Sequence, residues 1–473
     1  MPAKKLKTDA DLITWLDQTD SKLDESPNCL TSTYYVFDRP DWDEIARQAN
    51  NLYNESTYLV RHYPRNKGIL TYTKLNQIIK QQYEDKQNLL YHSVAYLHTA
   101  QYVMKQVTGN FSNFYKAKRA YKKNSHKFSG KPRIPRYHKK GTRTLFTLSN
   151  QNAHIKNGYL ISKKINLKLK LNPTLQHFKL LHVDFLPITH GFKVCVVFET
   201  HQNDFQKDNG IYISIDPGVD NAFTCICNKA YQPLIINGKN VKAVNHYYNK
   251  RKAELYRQLA NNHQLESIIP TKQGPKPVYQ ASRKIERLNF KHNRKIDLFI
   301  YKAIKHIVDY ALSCNAKTIF IGKNKGWKNK VKLGKANDQN FLGIPHAIVI
   351  EKLKSKAARY GIRVVPTNES YTSQTSFLDG EKPCRQNGNI ARKNKHLTPI
   401  NRRIKRGLFK SNQGILINSD VNGALQIAKK GFAKWQSLAK QNKIYAFPKL
   451  SFGDEIQALV LMPQKVNCSI PFK

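Results

Sequence analysis

Three acidic residues on widely separated stretches could hold a divalent cation if folding brought them together. The first is Asp216, within Ile211-Tyr-Ile-Ser-Ile-Asp-Pro-Gly-Val-Asp-Asn-Ala-Phe-Thr-Cys-Ile-Cys227. Ile211, Ile213 and Ile215 alternate with Tyr212, Ser214 and Asp216, the period of a half-buried strand, so Asp216 ends that strand opposite its apolar face. Pro217-Gly218 turns the chain, and Phe223 to Cys227 alternates again, giving a hairpin with a carboxylate at its mouth. An Asp before Pro-Gly also serves simply as a turn former, so this motif alone specifies no metal. The second acid is Asp420, in Asn418-Ser-Asp-Val-Asn-Gly-Ala-Leu-Gln-Ile-Ala-Lys-Lys430. Capping residues there precede Ala424, Leu425, Ile427 and Ala428 on one helical face, which puts Asp420 in the first turn, where the helix dipole favours its ionised form. An ordinary N-cap Asp contributes about 1 kcal/mol in the same place. For a third acid, Glu369 directly follows the strand Ile362 to Pro366 and can point to the sheet end where Asp216 sits. Glu351, flanked by Lys352 and Lys354, and Asp379, further off in a loop, compete with it.

Positioning these groups requires alternating strands and helices. Gln232 to Gly238 supplies a third strand after the hairpin, and Val241 to Leu259 and Ala281 to Leu312 read as helices separated by a loop bearing Pro270, Gly274, Pro275 and Pro277. Arg283, Arg287 and Arg294 recur at helical spacing on the second of these, making one face cationic. Lys317 to Gly322 is a short apolar strand, Ile344 to Tyr360 an amphipathic helix stopped by Gly361, and Ile362 to Pro366 the next strand. Such alternation indicates a mixed sheet flanked by helices.

The N-terminal half has a different character. Residues 1–28 carry much of the acid and read as an extension. Thr31 to Phe37 reads as a strand, and from Asp41 to about Gly109 the apolar spacing fits three helices joined by short turns, with Tyr and His recurring through them. Lys116 to Lys140 is the most basic segment and contains Lys131, Arg133 and Arg136; it joins the helices to a strand-rich block between Thr144 and Thr200. Lys168 and Lys170 alternate there with Leu167, Leu169 and Leu171, a row of ammonium groups on one strand face. The short strands, closed by Thr31 to Phe37, suggest a small barrel with a cationic face.

The 473 residues suffice for about three domains. Lys and Arg number 80 against 32 Asp and Glu, a formal net charge of +48, which makes nucleic acid the natural counterion. The 25 Tyr and 21 Phe interleaved with the cations suit base stacking as well as core packing. Seven Cys, at 29, 195, 225, 227, 314, 384 and 468, form no C-x-x-C pair and imply a reducing compartment without a disulfide framework. No run approaches transmembrane length, so a cytoplasmic location is expected.

Five motifs together resemble the RuvC domain of TnpB proteins, which insertion sequences encode and which are related to type V CRISPR effectors. They are Ile-Asp-Pro-Gly at 215–218, Ile-Gly-Lys-Asn-Lys-Gly-Trp-Lys at 321–328, Asn-Glu-Ser-Tyr-Thr-Ser-Gln-Thr-Ser at 368–376, Arg-Ile-Lys-Arg-Gly-Leu at 403–408 and Asn-Ser-Asp-Val-Asn-Gly-Ala at 418–424. They fall in order across residues 209–431; over the N-terminal half the likeness is architectural.

The resemblance implies an α/β multidomain chain. An RNase H-like (RuvC) domain would cover 209–375 and 417–446 with a helical insertion at 241–312. A wedge-type β-barrel, 29–40 and 128–208, would be interrupted by a helical recognition lobe at 41–127, and a basic target-strand-loading loop would span 376–416, leaving a tail at 447–473. The activity implied is that of an RNA-guided DNA endonuclease cutting beside a short target-adjacent motif. Asp216 would be the first and Asp420 the last of three carboxylates holding two Mg²⁺ ions. Most TnpB sequences place the second acid at the strand end that is Gly322 here, and this chain resembles the subgroup in which Glu369 takes that role. Where many relatives have Thr-Cys-x-x-Cys-Gly, this chain has Thr375, Ser376, Asp379 and Gly380, so no zinc ribbon is expected.

The expected partners are a guide RNA, of transposon-end or CRISPR type, and a target DNA duplex, with one or two protein copies per RNA and no membrane. Trp327 and Lys328, and Arg402, Arg403 and Arg406, join the cations named above as expected nucleic-acid contacts. Two other readings stand beside this one: an RNA-guided binder that does not cut, and an unguided RNase H-like nuclease.

Overall fold

In the computed structural model the described residues run from 29 to 470, apart from the segments 324–343, 391–403 and 442–462 and the shorter stretches 65–69, 87–88, 201–204, 207, 230, 263–264, 272–273, 280–281, 382, 384, 387–388, 405–406 and 413. The sequence-based readings for residues 1–28, for Trp327 and Lys328, for Arg402, Arg403 and Arg406, and for 447–462 therefore lie outside them. The described residues divide into two compact units, one from 29 to 200 and one from 205 to 470. No helix among the described residues is long and apolar enough to cross a membrane.

The first unit opens with β1 (Cys29–Phe37), leaves the sheet through three long helices, α1 (Pro40–His62), α2 (Tyr72–Glu84) and α3 (Leu97–Lys123), and returns to strands. Helix α1 starts where Pro40 presets the first turn and Asp41 and Asp43 face the positive end of its dipole. Helix α3 runs nearly four turns past Gly109, so the cations 116–123 sit on a helix and not in a linker. The remaining strands are β2 (Phe146–Ser149), β3 (His154–Lys156), β4 (Tyr159–Ser162), β5 (Leu167–Lys170), β6 (Leu180–Ile188) and β7 (Gly191–Glu199).

As the sequence suggested, β1 closes on the strand-rich block, pairing antiparallel with β7 along its whole length from Cys29↔Glu199 to Phe37↔Gly191. The block nevertheless forms two open sheets, β1-β7-β6-β2 and β3-β4-β5, and not a barrel closed by hydrogen bonds. Strands β2 to β5 are only three or four residues each, too short to carry a continuous ladder round a cylinder. Trp42 locks α1 onto the larger sheet: it is fully buried, edge-on to Phe185 and Phe192, and its Nε1 donates to the Ile165 carbonyl at 2.8 Å.

The second unit is built on a six-stranded sheet. Its strands are β8 (Tyr212–Pro217), β9 (Asn221–Cys227), β10 (Leu234–Asn237), β13 (Thr318–Gly322), β14 (Arg363–Thr367) and β17 (Gln464–Asn467), in the spatial order β14-β13-β8-β9-β10-β17. Strands β8, β9 and β10 form an antiparallel meander, whereas β13 and β14 run parallel to β8 on its other side. Helices α4 (Lys239–Asn261) and α5 (Arg283–Ser313) follow the meander, α6 (His346–Ala358) joins β13 to β14, and α7 (Ser419–Gln441) follows a small hairpin of β15 (Leu408–Lys410) and β16 (Leu416–Asn418).

Strand β8 is buried on both faces, not on one. Ile213 and Ile215 pack under α5 and α6, and Tyr212 packs against α7 with Phe320. Alternation in sequence reported a polar face, but α7 covers it, which is why Ser214 is fully buried. The Pro-bearing segment between α4 and α5 is also no plain loop: β11 (Leu265–Thr271) and β12 (Gly274–Tyr279) pair as an isolated hairpin, where prolines are tolerated because both strands are edges. Nothing in the periodicity announced β17, four residues that extend the sheet parallel to β10.

Candidate metal centre

Helix α7 organises the site. Asn418 caps it, its Oδ1 accepting from the Asp420 and Val421 amides at 2.9 and 3.3 Å. Asp420, Gly423, Ile427 and Lys430 then recur three or four apart and form one stripe. Along this stripe the helix meets successive elements of the sheet end. Asn221 of β9 donates from Nδ2 to Asp420 Oδ2 at 2.7 Å. A Cβ on Gly423 would overlap Asp216 Oδ2, so the helix comes as close to the end of β8 as glycine alone permits. Ile427 lies against Gly322 of β13, its Cδ1 3.0 Å from where a Cβ would stand. Lys430 Nζ donates to the Ser370 carbonyl at 2.7 Å, just beyond β14.

Glu369 completes the row. A Cβ on Gly322 would overlap Glu369 Oε2, so the carboxylate of Glu369 occupies the volume that a side chain at the end of β13 would otherwise fill. Ile321 pairs with Ile215, so Gly322 and Asp216 are the next residues on adjacent parallel strands, about 4.8 Å apart across the sheet. Burial pushes the Glu369 carboxyl up to about 7, with the Lys430 cation pulling the other way. The three acids thus share one end of the sheet, ordered Asp420, Asp216, Glu369 along α7. Among the described residues, however, no three His, Cys, Asp or Glu side chains converge closely enough to form a ready cage for one ion. Of the competing acids, Glu351 is exposed beside Lys354, and Asp379 is engaged elsewhere.

The donor set is of the kind hard divalent cations take: carboxylate oxygens, with glycine at the two closest approaches of the neighbouring elements. In the segment with Thr375, Ser376, Asp379 and Gly380, the side chains of Ser376 and Asp379 are buried, as is Ser411. Hydrogen bonds join these loops. Both Asp379 oxygens accept from the Asn412 amide at 3.0 Å, the Asp379 amide donates to Ser376 Oγ, and Glu381 Oε2 accepts from the Ser376 amide at 2.8 Å. Asn422 of α7 latches the same loop, donating to the Thr375 carbonyl and accepting from the Phe377 amide, both at 2.9 Å.

The sequence motifs contained Asn221, Gly423, Asn422 and Lys430 without revealing their tasks; for the last three, spacing on α7 relative to Asp420 was the signal available. The cations chosen for nucleic acid that fall within the described residues are all exposed. Lys131, Arg133 and Arg136 lie on a strap tied along α1, where Asn54 exchanges hydrogen bonds with His138 and Tyr53 stacks on its ring at 3.9 Å. Lys168 and Lys170 stand on the outer face of β5 above buried Leu167, and Arg283, Arg287 and Arg294 line the outside of α5.

Comparison with known proteins falls on this part of the chain. Residues 346–427, from α6 into α7 and including Glu369 and Asp420, match the family model Cas12f1-like, TNB domain. Among solved structures the chain is similar, at low identity, to Cas12f1 in its complex with sgRNA and target DNA (15% identity, 82% of either chain, TM-score 0.49). It is also similar to CasPhi-2 (Cas12j) bound to crRNA (8% identity, 89% of this chain and 99% of that one, TM-score 0.40). No curated protein matches the sequence. The family-model match thus falls on the segment that carries Glu369 and Asp420, and it is this segment that is Cas12f1-like.

Proposed function

We propose that this chain is an RNA-guided DNA endonuclease that cleaves duplex DNA beside a short target-adjacent motif at a single RuvC-type site. The observation that carries the reading is the placement of Glu369 in the space left by Gly322, at the sheet end that Asp216 terminates and against the stripe of α7 that begins with Asp420. A meander followed by two parallel strands on its other side, with carboxylates at the end of the first, is also the arrangement expected of an RNase H-like nuclease.

Asp216, Glu369 and Asp420 would hold Mg²⁺, which when bound supplies an activated water and charge stabilisation for the leaving oxygen of a phosphodiester. The chain's own residues set the stage. Asn221 fixes the rotamer of Asp420, Lys430 favours the ionised form of Glu369, and α7 presses the row of acids against the sheet end. Selection of the target falls to base pairing with the guide RNA, while the cationic surfaces hold phosphates without reading sequence. Zinc has no part in this scheme.

The test is cleavage of a plasmid library by protein purified with its copurifying RNA. Asp216→Ala and Asp420→Ala should abolish Mg²⁺-dependent cutting while leaving RNA retention unchanged; cutting by either variant at the normal rate, or absence of a discrete RNA, overturns the proposal. The alternative, a guided binder that does not cut, draws on the lack of a ready ion cage among the described residues. It requires target binding without cleavage in saturating Mg²⁺ or Mn²⁺.

A further inference from the structure

Helices α4 and α5 pack as an antiparallel pair, but their contact is interrupted. At one end Val241, Val244 and Ile296 join the core under the sheet, and at the other Leu255, Leu259 and Ile285 form a separate cluster. The layer between them is polar and aromatic. Tyr248 stacks on His292 at 3.9 Å and donates to Asn289 Oδ1 at 2.8 Å, and His292 Nε2 meets Asn245 Oδ1 at 2.8 Å. Burial lowers the His292 pKa, so its ring joins the stack uncharged near pH 7. Close-packed helices leave no voids of this kind without a reason. Here a cleft of about 430 Å³ opens to solvent, within the range of small-molecule sites.

The chemistry of its walls is of two sorts. The floor is apolar and aromatic, with Val244, Leu255 and Leu288 below the Tyr248–His292 stack. Tyr247 stands at the mouth, 61% exposed. Beside it the rim carries cations: Arg251, which pairs with Glu254, and Lys284, Arg287, Lys291 and Lys295. Among the described residues no carboxylate lines the cleft, and Lys284, Arg287 and Lys291 form no salt bridge.

We infer that this cleft takes one unstacked nucleotide of a single strand, its base entering against Tyr247 and the apolar floor while the flanking phosphates lie on the rim lysines and arginines. An apolar floor without cations would suit a hydrophobic ligand, and a cationic face without a cleft would only track a backbone. Together they match the amphiphilic character of a nucleotide, whose flat ring buries while its phosphates remain at the edge. Both RNA and DNA offer this chemistry. The inference goes beyond the cutting reading, since it involves none of Asp216, Glu369 and Asp420 and is measured without divalent ions.

The experiment uses the full chain, stripped of copurifying RNA in high salt, and matched RNA and DNA oligonucleotides carrying 2-aminopurine, titrated in EDTA. Tyr247→Ala should weaken binding of at least one of them roughly tenfold and reduce its 2-aminopurine quenching, leaving the salt dependence as it was, and Tyr247→Phe should restore both. Lys284→Ala and Arg287→Ala should each lower the salt slope by about one. The oligonucleotide that responds identifies the source as RNA or DNA. The inference is overturned if Tyr247→Ala binds and quenches both like the parent protein, or if the rim variants leave the salt slope unchanged. Binding by the parent chain with no response to these variants would sink the cleft and leave the nuclease reading intact.

Discussion

Replacing Gly322 by alanine adds one methyl group at the end of β13, a change that a strand would ordinarily tolerate. Here the new Cβ would coincide with Glu369 Oε2 and crowd Ile427 Cδ1 and Pro217 Cδ, both at 3.0 Å. The carboxylate is the nearest of the three and lies at the far end of a long side chain, so Glu369 must give way, by roughly 1 Å, which at a reacting centre is worth about a hundredfold in rate. The stability cost is small by the same reasoning, about 1 kcal/mol or less, because one rotamer shift relieves the overlap. Gly322→Ala should therefore fold, retain RNA and cut about a hundredfold more slowly.

A relocation experiment sharpens this. Gly322→Asp alone puts two carboxylates into one volume and should be at least as inactive as Gly322→Ala. Combined with Glu369→Ala, it supplies one carboxylate to the same space from the strand and should recover part of the cutting that Glu369→Ala alone loses. The assay is single-turnover cleavage of a guided target with the melting temperature measured in parallel. Normal cutting by Gly322→Ala, or a double variant no better than Glu369→Ala, would refute the idea that Glu369 stands in for a strand-end acid.

Three further outcomes follow from the same geometry. Gly423→Ala should gain about 1 kcal/mol of intrinsic helix propensity yet lose cleavage, because its Cβ meets Asp216; thermal melts and cleavage rates read the two effects separately. The carboxyl of Glu369 holds its proton up to about 7 in the fold, against an ordinary value of 4.5. The folded state therefore binds more protons between those values, and the stabilisation present at pH 4.5 is lost as pH rises to 7. Melting in EDTA should show this decline in the parent protein and less of it in Glu369→Gln. Finally, Asp379→Ala should cost about 2 kcal/mol by removing the charged acceptor of the Asn412 amide. A zinc chelator should leave the parent protein's melting curve unmoved.

How far the sequence could be read depended on whether the signal was local. Asp420 was legible because capping residues and an apolar helical face adjoin it, and Asp216 because strand alternation and Pro-Gly do. Placing Glu369 needed the strand before it, and its burial and the vacancy at Gly322 needed the neighbouring strand and helix. Strand β8 misled because alternation cannot tell a solvent face from one covered by a distant helix such as α7. The hairpin between α4 and α5 and the short strand β17 escaped for a related reason: each is defined by its pairing partner, and neither has a period of its own. The suggested barrel failed on strand length, which composition does not reveal.

On the proposed reading the two glycines and Glu369 act together. A short acid at the end of β13 would point directly at α7, whereas the longer Glu369 approaches from the loop after β14 and needs β13 to end in glycine. That longer route tethers the acid to the loop that Asn422 and Lys430 hold against α7, through the Thr375 and Phe377 backbone and the Ser370 carbonyl. Helix α7 thus carries Asp420, makes room for Asp216 and anchors the support of Glu369. Any shift of this helix along its axis would disturb all three acids at once, whereas a strand-end acid would depend on the sheet alone. Asn422→Ala, remote from the acids' own contacts, should accordingly lower cleavage as well as stability, a coupling that a merely structural asparagine would not show once the variant is assayed well below its melting temperature.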